Sequence, residues 1–182
     1  MSFSPDGRYL LTASRDRTWC LYLKSEDGTG TTYRKVYGTS KKNSVHQRLI
    51  WACDWSPDSK YFVTSSRDKK VATWAAATGA MACEAPLLLG DSVTAVSFHR
   101  SGGESSGGGV SYTLAAGLDD GTVHLIEWNS ESGGWRVLHG ERVHHKTVRR
   151  FRFRPGGAHN DVLLASCSSD HSVKLHKVHI NR

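Results

Sequence analysis

Short hydrophobic runs alternate with polar turns along the chain, and the clearest example begins at Ile50. The run Ile50–Trp55 ends at Ser-Pro-Asp-Ser, where proline presets φ and the Asp and Ser side chains can bond the turn backbone. Tyr61–Ser66 is rich in strand-forming residues, 67–70 is a polar turn, and 71–74 is strand-like again. This pattern predicts an antiparallel meander of strands.

The same pattern occurs four times in the chain. The second turn of each copy contains an aspartate, and these aspartates lie 52, 52 and 50 residues apart at Asp16, Asp68, Asp120 and Asp170. Strand-forming residues follow each aspartate within a few positions. A fixed period of this kind indicates a repeat architecture in which each sheet packs on its neighbours.

The period divides residues 1–182 into one repeat domain with units at approximately 1–40, 46–90, 91–141 and 145–182. We expect an outer strand at 81–89 in the second unit and a flexible Gly/Ser insertion at 100–109 in the third. The first unit begins in mid-repeat, and the last has no segment for an outer strand. The prediction is therefore an all-β, open ring of about four sheets that belongs to a larger one, from a fragment or a truncated gene model.

Composition favours a soluble globular protein. Its net charge makes an acidic partner possible. The 182 residues are 38% hydrophobic, and the 24 Lys and Arg against 17 Asp and Glu give a net charge of +7. That charge permits an acidic protein or RNA as partner without requiring one. No stretch approaches the roughly 18 apolar residues of a membrane helix, and the N-terminal residues do not resemble a secretory signal.

Cysteine and histidine patterns argue against a metal centre. The four cysteines stand singly, which favours reduced, mostly buried thiols in an intracellular protein, at Cys20, Cys53, Cys83 and Cys167. Adjacent His144 and His145 point to opposite sides of a strand, and His139 completes no suitable ligand spacing. We expect these histidines to be exposed loop residues.

Catalysis is not expected either. The repeated aspartates occur once per unit, which suits hairpin turns better than an acid/base pair, whose carboxylates must lie within about 10 Å. A Ser-His-Asp hydrolase would need a nucleophile elbow such as Gly-x-Ser-x-Gly, and the sequence has none around its candidate residues. The sequence predicts a protein that is not an enzyme.

Three motifs resemble the WD-repeat β-propeller family: Phe-Ser-Pro-Asp-Gly at 3–7, Ser-Arg-Asp at 14–16 and 66–68, and Val-x-x-Trp at 71–74. The Trp-Asp dipeptide itself is absent, and the usual Gly-His is reduced to His46 and to His144 or His145. The resemblance implies blades of four-stranded antiparallel sheet. It also implies a buried structural network, for which only the second unit supplies all residue types, from His46, Thr64 or Ser66, Asp68 and Trp74.

A narrower resemblance involves the segments 2–19, 46–71 and 148–171, which are similar to the WD-repeat subunit family of the Elongator complex. It implies the last four blades of the second of two propellers, in a non-catalytic scaffold without cofactor or small-molecule substrate. The implied partners are the large scaffold and catalytic subunits, and the implied role is assembly for tRNA wobble-uridine modification at position 5. The implied location is the cytoplasm, with the nucleus as a second site, and no membrane.

Basic residues occupy the loops that open on one face of a propeller. The residues expected to cluster there are Arg15, Arg17, Lys41, Lys42, Arg48, Arg67, Lys69 and Lys70. Such a face could bind RNA or an acidic protein, or its charges could merely keep hairpin tips soluble. A WD-repeat adaptor in another complex, in transcription or signalling, is therefore the alternative function.

Overall fold

A computed structural model describes residues 1–26, 31–100, 109–154 and 161–179 and contains fifteen strands within them. In chain order the strands are β1 (Ser2–Phe3), β2 (Tyr9–Ala13), β3 (Trp19–Glu26), β4 (Thr31–Gly38), β5 (Ile50–Trp55), β6 (Tyr61–Ser66), β7 (Lys70–Ala75), β8 (Leu87–Leu88), β9 (Val93–Phe98), β10 (Ser111–Leu118), β11 (Thr122–Asn129), β12 (Trp135–Arg142), β13 (Val148–Phe153), β14 (Asp161–Ser168) and β15 (Val173–His179).

The strands form four antiparallel meanders, one for each sequence period. The first three sheets have four strands each, in the orders β1-β2-β3-β4, β5-β6-β7-β8 and β9-β10-β11-β12. The fourth sheet, β13-β14-β15, has three strands within the described residues. The prediction of an all-β fold built from repeated antiparallel sheets is confirmed.

The repeated aspartates close the hairpin between the second and third strand of each sheet. Each carboxylate accepts a hydrogen bond from the backbone N–H two residues later, at 2.8 to 3.0 Å, from Thr18, Lys70, Thr122 and Ser172. The residue after each aspartate has a left-handed φ of between 66° and 93°, at Arg17, Lys69, Gly121 and His171. These bonds stabilise the turn and thereby set the register of each hairpin.

The first strands of the sheets lie side by side, with β9 packed between β5 and β13. Asp54 on β5 accepts hydrogen bonds from the Ser97 hydroxyl at 3.0 Å and the Phe98 N–H at 2.9 Å on β9. A cavity of about 410 Å³ lies between these inner strands and is lined in part by Trp51 and Arg150. Neighbouring sheets are therefore joined by polar bonds as well as by apolar packing.

Apolar side chains fill the space between neighbouring sheets. Trp19 of the first sheet packs against Phe62 and Trp74 of the second, with ring centroids 4.9 Å apart in both pairs. A separate cluster between the third and fourth sheets contains Leu125 and Phe151. Val173 and Leu175 on the other face of the fourth sheet are exposed. The core thus follows the line of sheets from the first to the fourth.

The structure differs from the predicted strands at two places. Ser2–Phe3 forms a short strand that was not predicted. The outer strand expected at 81–89 is reduced to Leu87–Leu88 and one bridge between Trp74 and Met81. Contacts with the third sheet hold this segment instead, because the Gly133 carbonyl accepts the Glu84 N–H and the Ala85 carbonyl accepts the indole N–H of Trp135.

Most of the predicted Gly/Ser insertion, residues 101–108, lies outside the described residues. The described part of the chain contains no helix that is long and apolar enough to span a membrane.

Candidate functional site

A buried polar network lies at the centre of the second sheet. The Thr64 hydroxyl is 2.8 Å from His46 Nε2, and the Trp74 indole N–H donates to the same oxygen at 2.8 Å. His46 Nδ1 lies 3.4 Å from the Asp68 carboxylate, which also accepts the Gln47 N–H at 2.7 Å. All of these side chains are at most a few per cent exposed. The network therefore ties the loop before β5 to strands β6 and β7.

Thr64, rather than Ser66, supplies the hydroxyl of this network. The Ser66 hydroxyl donates to the Arg48 carbonyl at 3.2 Å and accepts the Asp68 N–H at 3.2 Å. Ser66 thus stabilises the turn that holds Asp68. Burial acts to raise the pKa of Asp68 and is the largest single effect, but the nearby His46 ring and the backbone N–H groups of Gln47 and Lys70 together outweigh it, so the pKa is lowered.

The third sheet replaces this network with apolar residues. Its pairing of Leu114 with Ile126 corresponds to that of Phe62 with Trp74 in the second sheet. By the same register Ala116 stands in the place of Thr64, and all of these third-sheet side chains are fully buried. Apolar packing can substitute for a buried polar group of similar volume without loss of stability.

The fourth sheet contains a network that the sequence reasoning missed. His144 Nδ1 lies 3.2 Å from the Asp170 carboxylate, and His144 Nε2 lies 2.8 Å from the Ser166 hydroxyl. His176 Nε2 lies 2.7 Å from the same hydroxyl, in the place that Trp74 holds in the second sheet. His144 is buried and not an exposed loop residue as expected, because Asp170 and Ser166 bind both of its ring nitrogens.

One sequence signal for this network was available. His144 precedes Val148 by the same four residues that separate His46 from Ile50. The sequence reasoning expected a tryptophan where this sheet has His176, so it did not recognise that the fourth sheet contains a network like that of the second. The other two histidines considered for metal binding are exposed: His139 lies 3.6 Å from Glu141, and His145 donates its backbone N–H to Asp170.

Four of the eight predicted basic-face residues line one concavity of about 320 Å³. Arg15 and Arg17 come from the β2–β3 turn, Arg48 from the loop before β5, and Arg67 from the β6–β7 turn. Arg17 has a left-handed φ of 77°, which reverses the direction of the backbone in the β2–β3 turn. The Arg17 carbonyl accepts a hydrogen bond from the Ser44 hydroxyl, in the loop before β5, at 2.5 Å. The turn of the first sheet is thereby held beside the loop of the second.

The four lysines do not line this concavity. Lys69 donates to the Gly90 carbonyl at 2.9 Å, and Lys70 begins β7. Lys41 and Lys42 are exposed in the loop before β5. Asp16 is nearby, and its pKa is lowered chiefly by the Thr18 hydroxyl, with smaller contributions from backbone and from Lys41. An arginine-lined hollow with exposed lysines beside it can bind a polyanion.

No group of three or more His, Cys, Asp or Glu side chains within the described ranges could hold a metal ion. The four cysteines are free thiols, and desolvation raises the pKa of Cys53 to about 11. A thiol with a raised pKa is a poor nucleophile at neutral pH.

Comparison with known proteins agrees with the repeat architecture. The family model described as WD domain, G-beta repeat matches residues 1–22, 39–74 and 136–177, more than half of the chain. The crystal structure of Saccharomyces cerevisiae Sqt1 superposes with a TM-score of 0.73 over 95% of this chain and 43% of that one. At 16% sequence identity this likeness shows the fold alone.

Three relatives named Elongator complex protein 2 match nearly the whole chain. The Drosophila melanogaster protein is 41% identical over 189 residues, covering 98% of this chain and 23% of its own length. The Danio rerio protein is 38% identical over 214 residues, covering 100% and 26%. The Homo sapiens protein is 34% identical over 211 residues, covering 98% and 24%. The chain thus spans about a quarter of these relatives, and the narrower resemblance is confirmed.

The four meanders and their aspartate turns recur with a fixed period, and the family model matches three segments of this repeated pattern. The chain therefore belongs to the WD-repeat family, and its sheets form an open part of a β-propeller.

Proposed function

We propose that the chain is part of a WD-repeat subunit of the Elongator complex and acts there as a non-catalytic scaffold. The observation that carries this proposal is the similarity of nearly the whole chain to Elongator complex protein 2 from fly, fish and human. The polar networks support a scaffold role as well, because their groups are buried in bonds that join strands and loops.

The packing of the sheets supports the proposed role. Each sheet packs on its neighbours, and the polar bonds from Asp54 on β5 to β9 join the second sheet to the third. A surface built in this way can hold partner subunits at fixed distances without a cofactor or a small-molecule substrate. What the resemblance to the Elongator subunit implies completes the proposal: the partners are the large scaffold and catalytic subunits, the process is wobble-uridine modification of tRNA, and the place is the cytoplasm, with the nucleus as a second site.

Removal of the full-length protein from cells tests this role. We expect loss of wobble-uridine modification, measured by mass spectrometry of tRNA nucleosides, and its recovery when the full-length protein is restored. Affinity purification of the restored protein should recover the large scaffold and catalytic subunits. Unchanged modification in the depleted cells would contradict the proposal, and recovery of unrelated partners would favour an adaptor in another complex.

A second candidate function is contact with RNA through the arginine-lined concavity. Its support is that three separate loops bring Arg15, Arg17, Arg48 and Arg67 around one hollow. Guanidinium groups bind phosphates in a bidentate manner, so this hollow suits an RNA backbone better than scattered lysines do.

Paired charge reversals test the concavity. The double change Arg15→Glu and Arg67→Glu should weaken tRNA binding about tenfold or more at low salt and flatten its salt dependence. The matched double change Lys41→Glu and Lys42→Glu alters the same net charge outside the concavity, and we expect a loss below about threefold. Filter binding over a salt series measures both. Equal losses would contradict a specific site, and an arginine variant that binds tRNA normally but loses an acidic protein would favour the adaptor.

A further inference from the structure

A β-bulge interrupts the first strand of the second, third and fourth sheets at the same position. The pairing with the next strand skips one residue in each case, and the skipped residues are Trp51, Thr94 and Arg149. A bulge bends its strand and re-aims a side chain. All three residues line the cavity of about 410 Å³ between the inner strands. Equivalent bulges of three neighbouring sheets therefore bring side chains to one cavity.

The three bulged residues differ in their contacts. Thr94 donates its hydroxyl hydrogen to the Val148 carbonyl at 2.7 Å and so joins the third sheet to the fourth. Trp51 is 46% exposed although it is a large apolar residue. Arg149 is exposed, and its Nε donates to the Ser169 hydroxyl at 2.6 Å, whereas its terminal nitrogens have no partner among the described residues. The cavity thus has an accessible indole ring and a guanidinium group held at one nitrogen.

Positive charge dominates this cavity. Arg150 and Arg152 follow Arg149 on β13, and both are exposed and line the cavity as well. Within the described part of the chain neither has a hydrogen-bond or ion-pair partner. Asp54 is the single acidic side chain among the described lining residues, and its carboxylate already accepts two hydrogen bonds from β9. The charged side chains of the lining therefore leave a surplus of two positive charges.

Arg150 and Arg152 are placed to bind two anionic groups of one extended ligand. They alternate with Phe151 and Phe153, which are buried between the third and fourth sheets. Residues two positions apart on a strand lie on the same side, about 7 Å from each other. The two guanidinium groups thus form a short row on the side of β13 that does not face the core.

The combination of an exposed indole with arginines suits a nucleotide better than an acidic peptide. Guanidinium groups bind phosphate in a bidentate manner, and an exposed tryptophan ring provides a surface on which a base stacks. The carboxylates of an acidic peptide would bind the arginines but leave the indole of Trp51 uncovered. The volume of about 410 Å³ lies within the range of ligand cavities, roughly 300 to 1,000 Å³.

We propose that this cavity binds a nucleotide of single-stranded RNA, with the base stacked on Trp51 and the phosphates on Arg149, Arg150 and Arg152. The cavity shares no lining residue with the arginine-lined concavity. The inference therefore does not depend on RNA contact at that concavity or on the scaffold role.

Removal of the bases from the RNA tests the stacking without any variant of the protein. Fluorescence anisotropy of the 182-residue chain with labelled RNA compares an oligouridylate decamer with a decamer of the same phosphates that lacks bases. We expect the abasic decamer to bind about tenfold more weakly, because base–aromatic stacking contributes about that factor. Equal affinities would overturn the proposal. Uridine monophosphate that competes as tightly as the decamer would overturn an RNA strand as the ligand.

Substitution of Trp51 tests whether this residue provides the stacking. Trp51→Ala should weaken binding of the oligouridylate decamer about tenfold and leave binding of the abasic decamer unchanged. Trp51→Phe keeps an aromatic ring and should retain most of the affinity. Unchanged binding of the abasic decamer also shows that the variant is folded. No loss with Trp51→Ala, or an equal loss with both decamers, would overturn the proposal.

Substitution of the arginines tests the phosphate contacts. The double change Arg150→Gln and Arg152→Gln should weaken both decamers about tenfold at low salt and reduce the salt slope by about 1.4. The matched double change Lys41→Gln and Lys42→Gln removes the same charge outside the cavity, and we expect a loss below about threefold. Equal losses in the two double variants would overturn the proposal. A decaglutamate peptide that binds more tightly than the oligouridylate decamer would overturn it in favour of an acidic peptide.

Discussion

Replacement of Thr64 by valine is expected to lower the free energy of unfolding by about 2–4 kcal/mol. Valine has nearly the same shape, so the change removes the hydroxyl without creating a cavity. The indole N–H of Trp74 and Nε2 of His46 both lose their partner in a site that water does not reach. Each unpaired buried group costs about 1–3 kcal/mol, which sets the expected size.

Thr73 provides the matched control for Thr64. It lies in the same sheet and is fully buried, but within the described part of the chain its hydroxyl has no hydrogen-bond partner. Thr73→Val should therefore be neutral or stabilising by up to about 1 kcal/mol. Urea unfolding followed by tryptophan fluorescence measures both variants. If the two substitutions cost the same, the network around Thr64 does not stabilise the sheet.

Gly121→Ala is expected to cost about 3 kcal/mol or more. The φ of Gly121 is 93°, a conformation that a residue with a Cβ rarely adopts. A Cβ at this position would also lie 2.1 Å from the His144 carbonyl oxygen, in the loop between the third and fourth sheets. Relief of that clash requires movement of backbone, because no flexible side chain is involved.

Gly7→Ala separates the cost of backbone strain at positive φ from the cost of the steric clash. Gly7 has a comparable φ of 71°, but nothing lies within 4 Å of the position of its Cβ. It should cost only about 1 kcal/mol, from backbone strain alone. The same unfolding measurement compares the two glycines. A cost at Gly121 no larger than that at Gly7 would show that the loop moves aside freely.

Local features of the fold could be predicted from the sequence because their causes are local. The carboxylate of Asp16 binds the N–H of Thr18 two residues later, and the same bond recurs in each period. The prediction of a strand over the whole of 81–89 was wrong, because contacts with residues distant in sequence determine the course of this segment. Its residues favour a strand, but bonds from Glu84 to Gly133 and from Trp135 to Ala85 lead the segment toward a neighbouring sheet. Strand propensity does not contain that information.

In the candidate sites, too, the sequence predicted what depends on local pattern and missed what depends on contacts between distant residues. The sequence indicated that basic turns share a face, but only the fold shows that Arg15 and Arg67 line a hollow while Lys41 and Lys42 do not. The role of His176 depends on the register that places it beside Ser166. A single histidine in a strand has no pattern of its own, so the sequence predicted the network of the second sheet and missed that of the fourth.

The apolar third sheet has a consequence for the charges on either side of it. Leu114, Ala116 and Ile126 form a layer without polar side chains at the position where the second and fourth sheets each have a histidine network. Leucine, alanine and isoleucine side chains offer no hydrogen-bond donor or acceptor, so these positions provide no hydrogen-bonded path between the two networks. A rearrangement of the hydrogen bonds in one network therefore cannot pass to the other through these side chains.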